Sequence, residues 1–334
     1  MIKNRSEIVF LYDIKDTNPN GDPMDENKPR IDEETGINLV TDVRLKRTIR
    51  DHLYKFLKKE IFVREIEYEP GKIQDAKLRA EDFLVENDKK LDKSKLKLDK
   101  MVDIMRRNVF GSCIDVRLFG VMMLIEQSEK AKTALTITGP VQFRMGRSLH
   151  RVEIVHIKGT GAFASEPGKE QKTFRDEYIL PYSLICFYGI VNENASQATD
   201  LTEEDVELML DGIWNGTKNL ISRSKVGQVP RLLLRVIYKE QSFHIGDLDK
   251  KITLATKKSD EQIRDVSDYK LDVTKLLKTF YGNRDKIEKI EFEFNPDLQL
   301  IKDNEEIAVG ELEKLLVKEF HATALNLDGR VGAK

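Results

Sequence analysis

Cations recur along the 334-residue chain in short clusters, and phosphate recognition is the chemistry their spacing suits best. Arg44, Lys46, Arg47 and Arg50 lie in one stretch that also carries Leu45, Ile49, Leu53, Phe56 and Leu57 at helical spacing, with Thr41-Asp42 as N-cap. At about 100° per residue the cations fall beside and beyond the apolar stripe, so one flank of an amphipathic helix is basic while another is buried. Phosphates need such an array, because each one neutralised releases counterions. A solvated basic face has the same pattern, and Asp42 and Asp51 partly balance this one. Further clusters are Arg106-Arg107, Arg117, then Arg144, Arg147 and Arg151, then Arg223, Lys225, Arg231 and Arg235. Arg144 and Arg147 flank a turn at Gly146, and Arg223 to Gln228 reads as a helix-to-strand loop. Binding residues concentrate in loops between rigid elements. Acidic residues gather elsewhere, in Glu65 to Glu69, Glu203 to Glu207 and Asp303 to Glu306. Segregation of this kind lets a near-neutral chain carry a cationic groove.

The whole-chain balance gives no such signal. Net charge is −2 although 34% of residues are charged, so any nucleic-acid face is a local patch. Other chemistries fit poorly. Asp16 to Asp22 opens like a calcium loop, but the twelfth position is Asn27 instead of a bidentate Glu, and a strand precedes it. Ser222-Arg223-Ser224-Lys225 is a formal S-x-x-K without the S-D-N and K-T-G that acyl-enzyme chemistry requires. There is no H-E-x-x-H, G-x-S-x-G or Walker A, and Gly159-Thr160-Gly161 lacks the third glycine of a dinucleotide fingerprint. The histidines show no ligand spacing, and neither Cys113 nor Cys186 sits in a CxxC pair. We therefore expect no metal or other cofactor. The apolar run Ile8 to Tyr12 is too short for a signal segment or a membrane span, which points to a cytoplasmic protein without membrane contact.

The elements that must position these residues follow from periodicity. Glu7 to Ile14, Leu135 to Phe143, Tyr178 to Val191, Leu232 to Tyr238 and Lys286 to Phe294 read as strands, and Arg151 to Ile157 as a further one. Helices are expected at Thr41 to Lys59, from Thr202 through Leu220, and over Ile307 to Phe320. The weakly patterned stretch from 60 to 105 reads as an insertion, and Lys158 to Phe174 as a long flexible excursion between strand-like flanks. The order predicts an α+β fold with helices on a largely antiparallel sheet, and a ferredoxin-like or RRM-like core fits it.

Several segments read as specific text. Asn18-Pro19-Asn20-Gly21-Asp22-Pro23, Pro29-Arg30-Ile31-Asp32, Thr35-Gly36 and Val40 to Asp51 resemble the CRISPR-associated Cas-seven family. So do Asp115-Val116-Arg117-Leu118-Phe119-Gly120, Thr138 to Phe143, Gly146-Arg147-Ser148 and Ser224 to Leu233. The overlap runs from about residue 5 to 250, and the branch it resembles most is Csh-two, the type I-B Cascade backbone subunit, with the type I-C branch as nearest competitor. The resemblance implies an RRM-like palm over 1–59, 136–152 and 179–334, a helical fingers insertion over 60–135 and a protruding thumb over 153–178. It implies a non-catalytic subunit that lines up head to tail along the guide crRNA and leaves the bases to pair with target single-stranded DNA. Partners would be the crRNA, the target strand, further copies of the chain, and the large, guide end-cap and guide-processing endonuclease subunits. The RNA-binding positions would be Arg44, Lys46, Arg47, Arg50, Arg144, Arg147, Ser148, Arg223 and Lys225, with Phe163 or Phe174 as a thumb wedge stacking where the duplex is interrupted. Two other readings stay open: a metal-dependent ribonuclease of the related type III kind using Asp22, Asp25 or Asp32, and an autonomous RNA-binding regulator.

Overall fold

The structure is a computed structural model that describes residues 1–128, 131–164 and 172–328, the side chains of 160–164 and 172–175 excepted. A near-continuous apolar run builds the long first strand, β1 (Ser6–Thr17), whose side chains are buried on both faces as far as Ile14. Two short strands follow, β2 (Ile31–Asp32) and β3 (Ile37–Val40), then helix α1 (Asp42–Lys55). Helices α2 (Leu98–Ser112) and α3 (Ile114–Phe119) precede a hairpin of β4 (Gly120–Ser128) and β5 (Ala131–Thr138). Strands β6 (Val141–Phe143), β7 (Gly146–Arg151), β8 (Val155–Ala164) and the 20-residue β9 (Lys172–Val191) lead to helix α4 (Glu203–Lys218) and β10 (Val229–Tyr238). Helix α5 (Thr274–Gly282), β11 (Ile287–Phe294), helix α6 (Val309–Phe320) and β12 (Thr323–Ala324) complete the frame.

The main sheet runs β12-β11-β10-β1-β9-β7-β3-β2, with β6 and β8 also paired to β9. All its pairings are antiparallel except β11–β12, which is parallel. Ile8, Phe10, Tyr12 and Ile14 project from one face of β1 and join Leu45, Ile49 and Leu53 of α1 and Leu210, Ile213 and Trp214 of α4 in one core. Val9 and Leu11 project from the other face into a second core with α5 and α6. The region beyond residue 250, for which the sequence carries no motif, therefore roofs the second face of the sheet. A four-stranded sheet of Thr253–Ala255, Lys270–Asp272, Leu300–Lys302 and Glu305–Ile307 belongs to this roof.

Residues from Phe62 to Ile137 enclose a third core, which includes Phe83, Met101, Met105, Val109 and Met123. It leaves the sheet and returns at a pinch between two glycines. A Cβ on Gly120 (φ +82°) would lie 2.1 Å from the Ile137 carbonyl oxygen, and one on Gly139 would lie 2.2 Å from the Gly120 nitrogen. Only glycine fits either position.

Three expectations change here. The strand predicted over Arg151 to Ile157 is broken, since β7 ends at Arg151 and β8 starts at Val155. The flexible excursion expected at Lys158 to Phe174 is regular strand as far as Ala164 and again from Lys172, with Lys158 opposite Asp176. Phe56, expected on the buried stripe, is 43% exposed: it caps α1 and lines a cleft between α1 and the loop that follows α4.

Candidate nucleic-acid interface

Helix α1 begins where Thr41 caps it, its side chain accepting from the Arg44 N–H at 3.3 Å. The Asn20 carboxamide oxygen in turn accepts from both the Thr41 N–H (2.8 Å) and its hydroxyl (2.9 Å). Two residues earlier, the Asn18 N–H donates to the Ser224 carbonyl at 2.9 Å, and its side chain donates to the Asn27 carbonyl at 2.7 Å. The Asn18-Pro19-Asn20 turn thus fixes the start of α1 against the loop that follows α4. The Asn20 carboxamide oxygen and the Asn18 side-chain N–H serve backbone architecture.

Between these walls lies a cleft of about 610 Å³. One wall is a stripe of α1 that includes Arg44, Arg47, Asp51 and Phe56, and the other is Asn219 to Ser222 with Lys225. The helices approach closely at its base. A Cβ on Gly216 of α4 would sit 3.1 Å from the His52 Cβ and from the Thr48 carbonyl oxygen. Arg44 and Lys225 face each other, and neither has a carboxylate within ion-pair distance among the described residues. The Arg44 guanidinium donates to the Thr48 hydroxyl at 3.1 Å, and the Lys225 ammonium to the Ser224 hydroxyl at 3.2 Å. Burial lowers the pKa of Arg44 below its ordinary value. Burial and then the charge of Arg44 lower that of Lys225. Two like charges held together and partly desolvated oppose stability, and such local conflicts mark sites built for a ligand of opposite charge.

The remaining cations of α1 are engaged elsewhere. Lys46 and Arg50 lie about 200–240° around the helix from Arg44. Lys46 pairs with Asp42 at 3.0 Å and donates to Gln142 at 3.0 Å, over the Phe119 ring. Arg50 donates to Asp115 at 2.8 Å, and that carboxylate is fully buried and also accepts from the Phe62 and Val63 N–H groups. Lys46 and Arg50 therefore anchor α1 to α3 and the third core. Arg47 lines the cleft but shares Asp51, at 3.0 and 3.1 Å.

The second predicted cluster lies around β7. Arg144 stacks on Tyr188 at 4.0 Å and spans Asp247 (2.8 Å) and Asp249 (2.9 Å). Arg147 pairs with Asp32 at 3.2 Å. Ser148 is buried, donating to the His150 carbonyl at 2.6 Å and accepting from the Asn38 N–H at 2.9 Å. The expectation that Ser148 contacts RNA is therefore corrected: its hydroxyl is consumed inside the sheet. Arg223 is exposed on the loop that carries Lys225. Phe163 and Phe174 fall in β8 and β9, with their side chains outside the described residues. Arg117 (to Asp205), Arg231 (to Asp13) and Arg235 (to Glu291 and Glu203) are internal ion pairs.

The aspartates of the ribonuclease reading are also paired. Asp22 meets Arg30 at 2.6 Å, Asp25 meets Lys28 at 2.7 Å, and Asp32 meets Arg147. No group of three or more His, Cys, Asp or Glu side chains able to hold a metal occurs among the described residues. No described helix is long and apolar enough to cross a membrane.

A family profile for CRISPR-associated protein Cas7 matches residues 4–274. A Haloferax volcanii CRISPR-associated protein Cas7 is 34% identical over 335 residues, covering 95% of both chains. In structure, the chain resembles one from a CRISPR RNA-guided surveillance complex, pre-nicking, with a TM-score of 0.50 and 11% identity over 95% of this chain and 100% of that one. That likeness concerns the fold. On the profile match and this relative, the chain belongs to the CRISPR-associated protein Cas7 family.

Proposed function

We propose that this chain is a non-catalytic backbone subunit of a type I-B Cascade complex that polymerises along guide crRNA. The observation that carries the reading is the partly desolvated pair Arg44 and Lys225 in the α1 cleft, neither within ion-pair distance of a carboxylate among the described residues, which a backbone phosphate would neutralise. Arg47 and the exposed Arg223 flank it. Taken in order, β1, α1, β7, β9, α4 and β10 make a βαββαβ unit with strand order β10-β1-β9-β7, which supports a ferredoxin-like, RRM-like palm. In such a palm the open sheet face commonly reads RNA through aromatic side chains. Here α5 and α6 cover that face, so the cleft beside the helices takes the strand, and recognition rests on the backbone. The separate core of 62–137 corresponds to the fingers, and the β8–β9 hairpin that leaves the sheet corresponds to the thumb. Sequence readout then belongs to the guide, whose exposed bases pair with target DNA. The large, end-cap and guide-processing subunits complete the assembly in this reading, in the cytoplasm.

Mass photometry of the purified chain with short and long single-stranded RNAs tests it. The expected result is a mass that steps upward with RNA length and little preference for sequence. One fixed stoichiometry on both lengths would overturn the backbone assignment in favour of a discrete RNA-binding regulator. Magnesium-dependent cleavage of the bound RNA, abolished by Asp→Ala at 22, 25 or 32, would overturn the non-catalytic one.

A further inference from the structure

The α1 cleft has two chemically different ends. Arg44 and Lys225 mark one, and Phe56 the other, about 18 Å along the helix at 1.5 Å per residue. Between them the Asp51 carboxylate, shared with Arg47, disfavours a second phosphate. Phe56 is 43% exposed although large and apolar, and it is held in one orientation. The buried His52 ring packs on it with centroids 5.2 Å apart and planes 19° apart. His52 is buried with Nε2 3.3 Å from Asp211 Oδ1 and its Cβ against Gly216, although neither ring nitrogen has a hydrogen-bond partner among the described residues. One face of the Phe56 ring is thus backed by a stacked ring and the other is open to the cleft. Across the cleft stands Ile221, 84% exposed. An aromatic face with an apolar neighbour, in the same cleft as a cation pair, has the composition of a base-stacking platform.

We propose that the open face of Phe56 stacks a nucleobase of the strand whose phosphate Arg44 and Lys225 hold. The proposal rests on the reading of the cleft as an RNA site and adds a base contact that is indifferent to sequence, since every base has a π-face. Ile221 closes over the base edge, and the exposed Lys55 ammonium stands near the adjoining backbone.

The test compares oligouridylate with a base-free oligomer of the same sugar–phosphate length, using the full chain and the variants Phe56→Ala, Phe56→Trp and Arg44→Ala. Phe56→Ala is expected to weaken oligouridylate binding about tenfold and leave the base-free oligomer unchanged. Phe56→Trp is expected to keep affinity and show fluorescence quenched by RNA, against the constant signal of buried Trp214. Arg44→Ala is expected to weaken both ligands. Equal weakening of both ligands by Phe56→Ala would show that the ring only supports the helix, and would overturn the proposal. Loss confined to oligomers long enough for two copies would assign Phe56 to contact between copies, which also overturns it. If Arg44→Ala weakens binding and Phe56→Ala does not, the stacking contact falls while the phosphate site stands. If neither variant has an effect, the cleft reading falls with it.

Discussion

The α1 cleft and the β7 face carry similar sets of cations, yet they differ in what those cations face. Arg144 and Arg147 each meet carboxylates, and Arg144 also has an aromatic ring beneath it. Arg44 and Lys225 donate to hydroxyls, and neither has a carboxylate within ion-pair distance among the described residues, although the Asp51 charge still acts on Arg44. A count of basic residues therefore does not locate a phosphate site. The informative quantity is charge left uncompensated after folding. In a chain of net charge −2, many cations among the described residues are spent on ion pairs, the β7 arginines among them, while Arg44 and Lys225 are not.

Breaking the spent set should damage the fold and spare the ligand. Asp115→Ala leaves Arg50 and two backbone N–H groups without their buried acceptor, so a loss of about 3–5 kcal/mol in denaturant unfolding is expected. RNA affinity per folded molecule should hold. Breaking the unspent set should do the reverse. Arg44→Ala is expected to weaken single-stranded RNA binding about tenfold, with little change in the unfolding midpoint. Arg144→Ala should change affinity less than twofold, because its two carboxylates already satisfy it. As that pair is half exposed, its removal should cost only about 0–1 kcal/mol of stability.

The subtlest handle is pH. Burial and Arg44 depress the Lys225 pKa in the free protein, and a bound phosphate would raise it again. RNA binding therefore takes up a proton at alkaline pH. Affinity should be full below the free-protein pKa of Lys225 and fall as pH rises through it, in a window that opens below the ordinary lysine value of about 10.4. Lys225→Arg should remove that fall, as read by fluorescence anisotropy across alkaline buffers.

Much of the frame was legible in the sequence. The continuous apolar run in β1 reports a strand buried on both faces, and the 3.6-residue stripe in α1 and α4 reports which helix face is buried. Which cations remain free was not legible, because their partners are remote: Arg50 finds Asp115, and Arg144 finds Asp247 and Asp249, far along the chain. The basic helix was visible, but Lys46 and Arg50 turn to the side opposite Arg44. The helical step contains that information, and it becomes decisive only once the neighbour on each side is known. Phe56 misled for a related reason. Periodicity places it on the apolar stripe, but at that end the helix lines a cleft rather than the core. The β3–β7 pairing likewise sets the face on which Ser148 points, and it buried a residue that the motif had placed on the surface.

The most direct measurement compares two double variants, Arg44→Ala/Lys225→Ala and Arg144→Ala/Arg147→Ala, for single-stranded RNA affinity across a salt series. The account predicts that the first loses affinity and that its log–log salt slope becomes shallower by about 0.7 for each phosphate contact removed, while the second keeps both. A shallower slope in the β7 variant with an unchanged one in the cleft variant would contradict it, and would place the RNA backbone on the face whose cations are already paired.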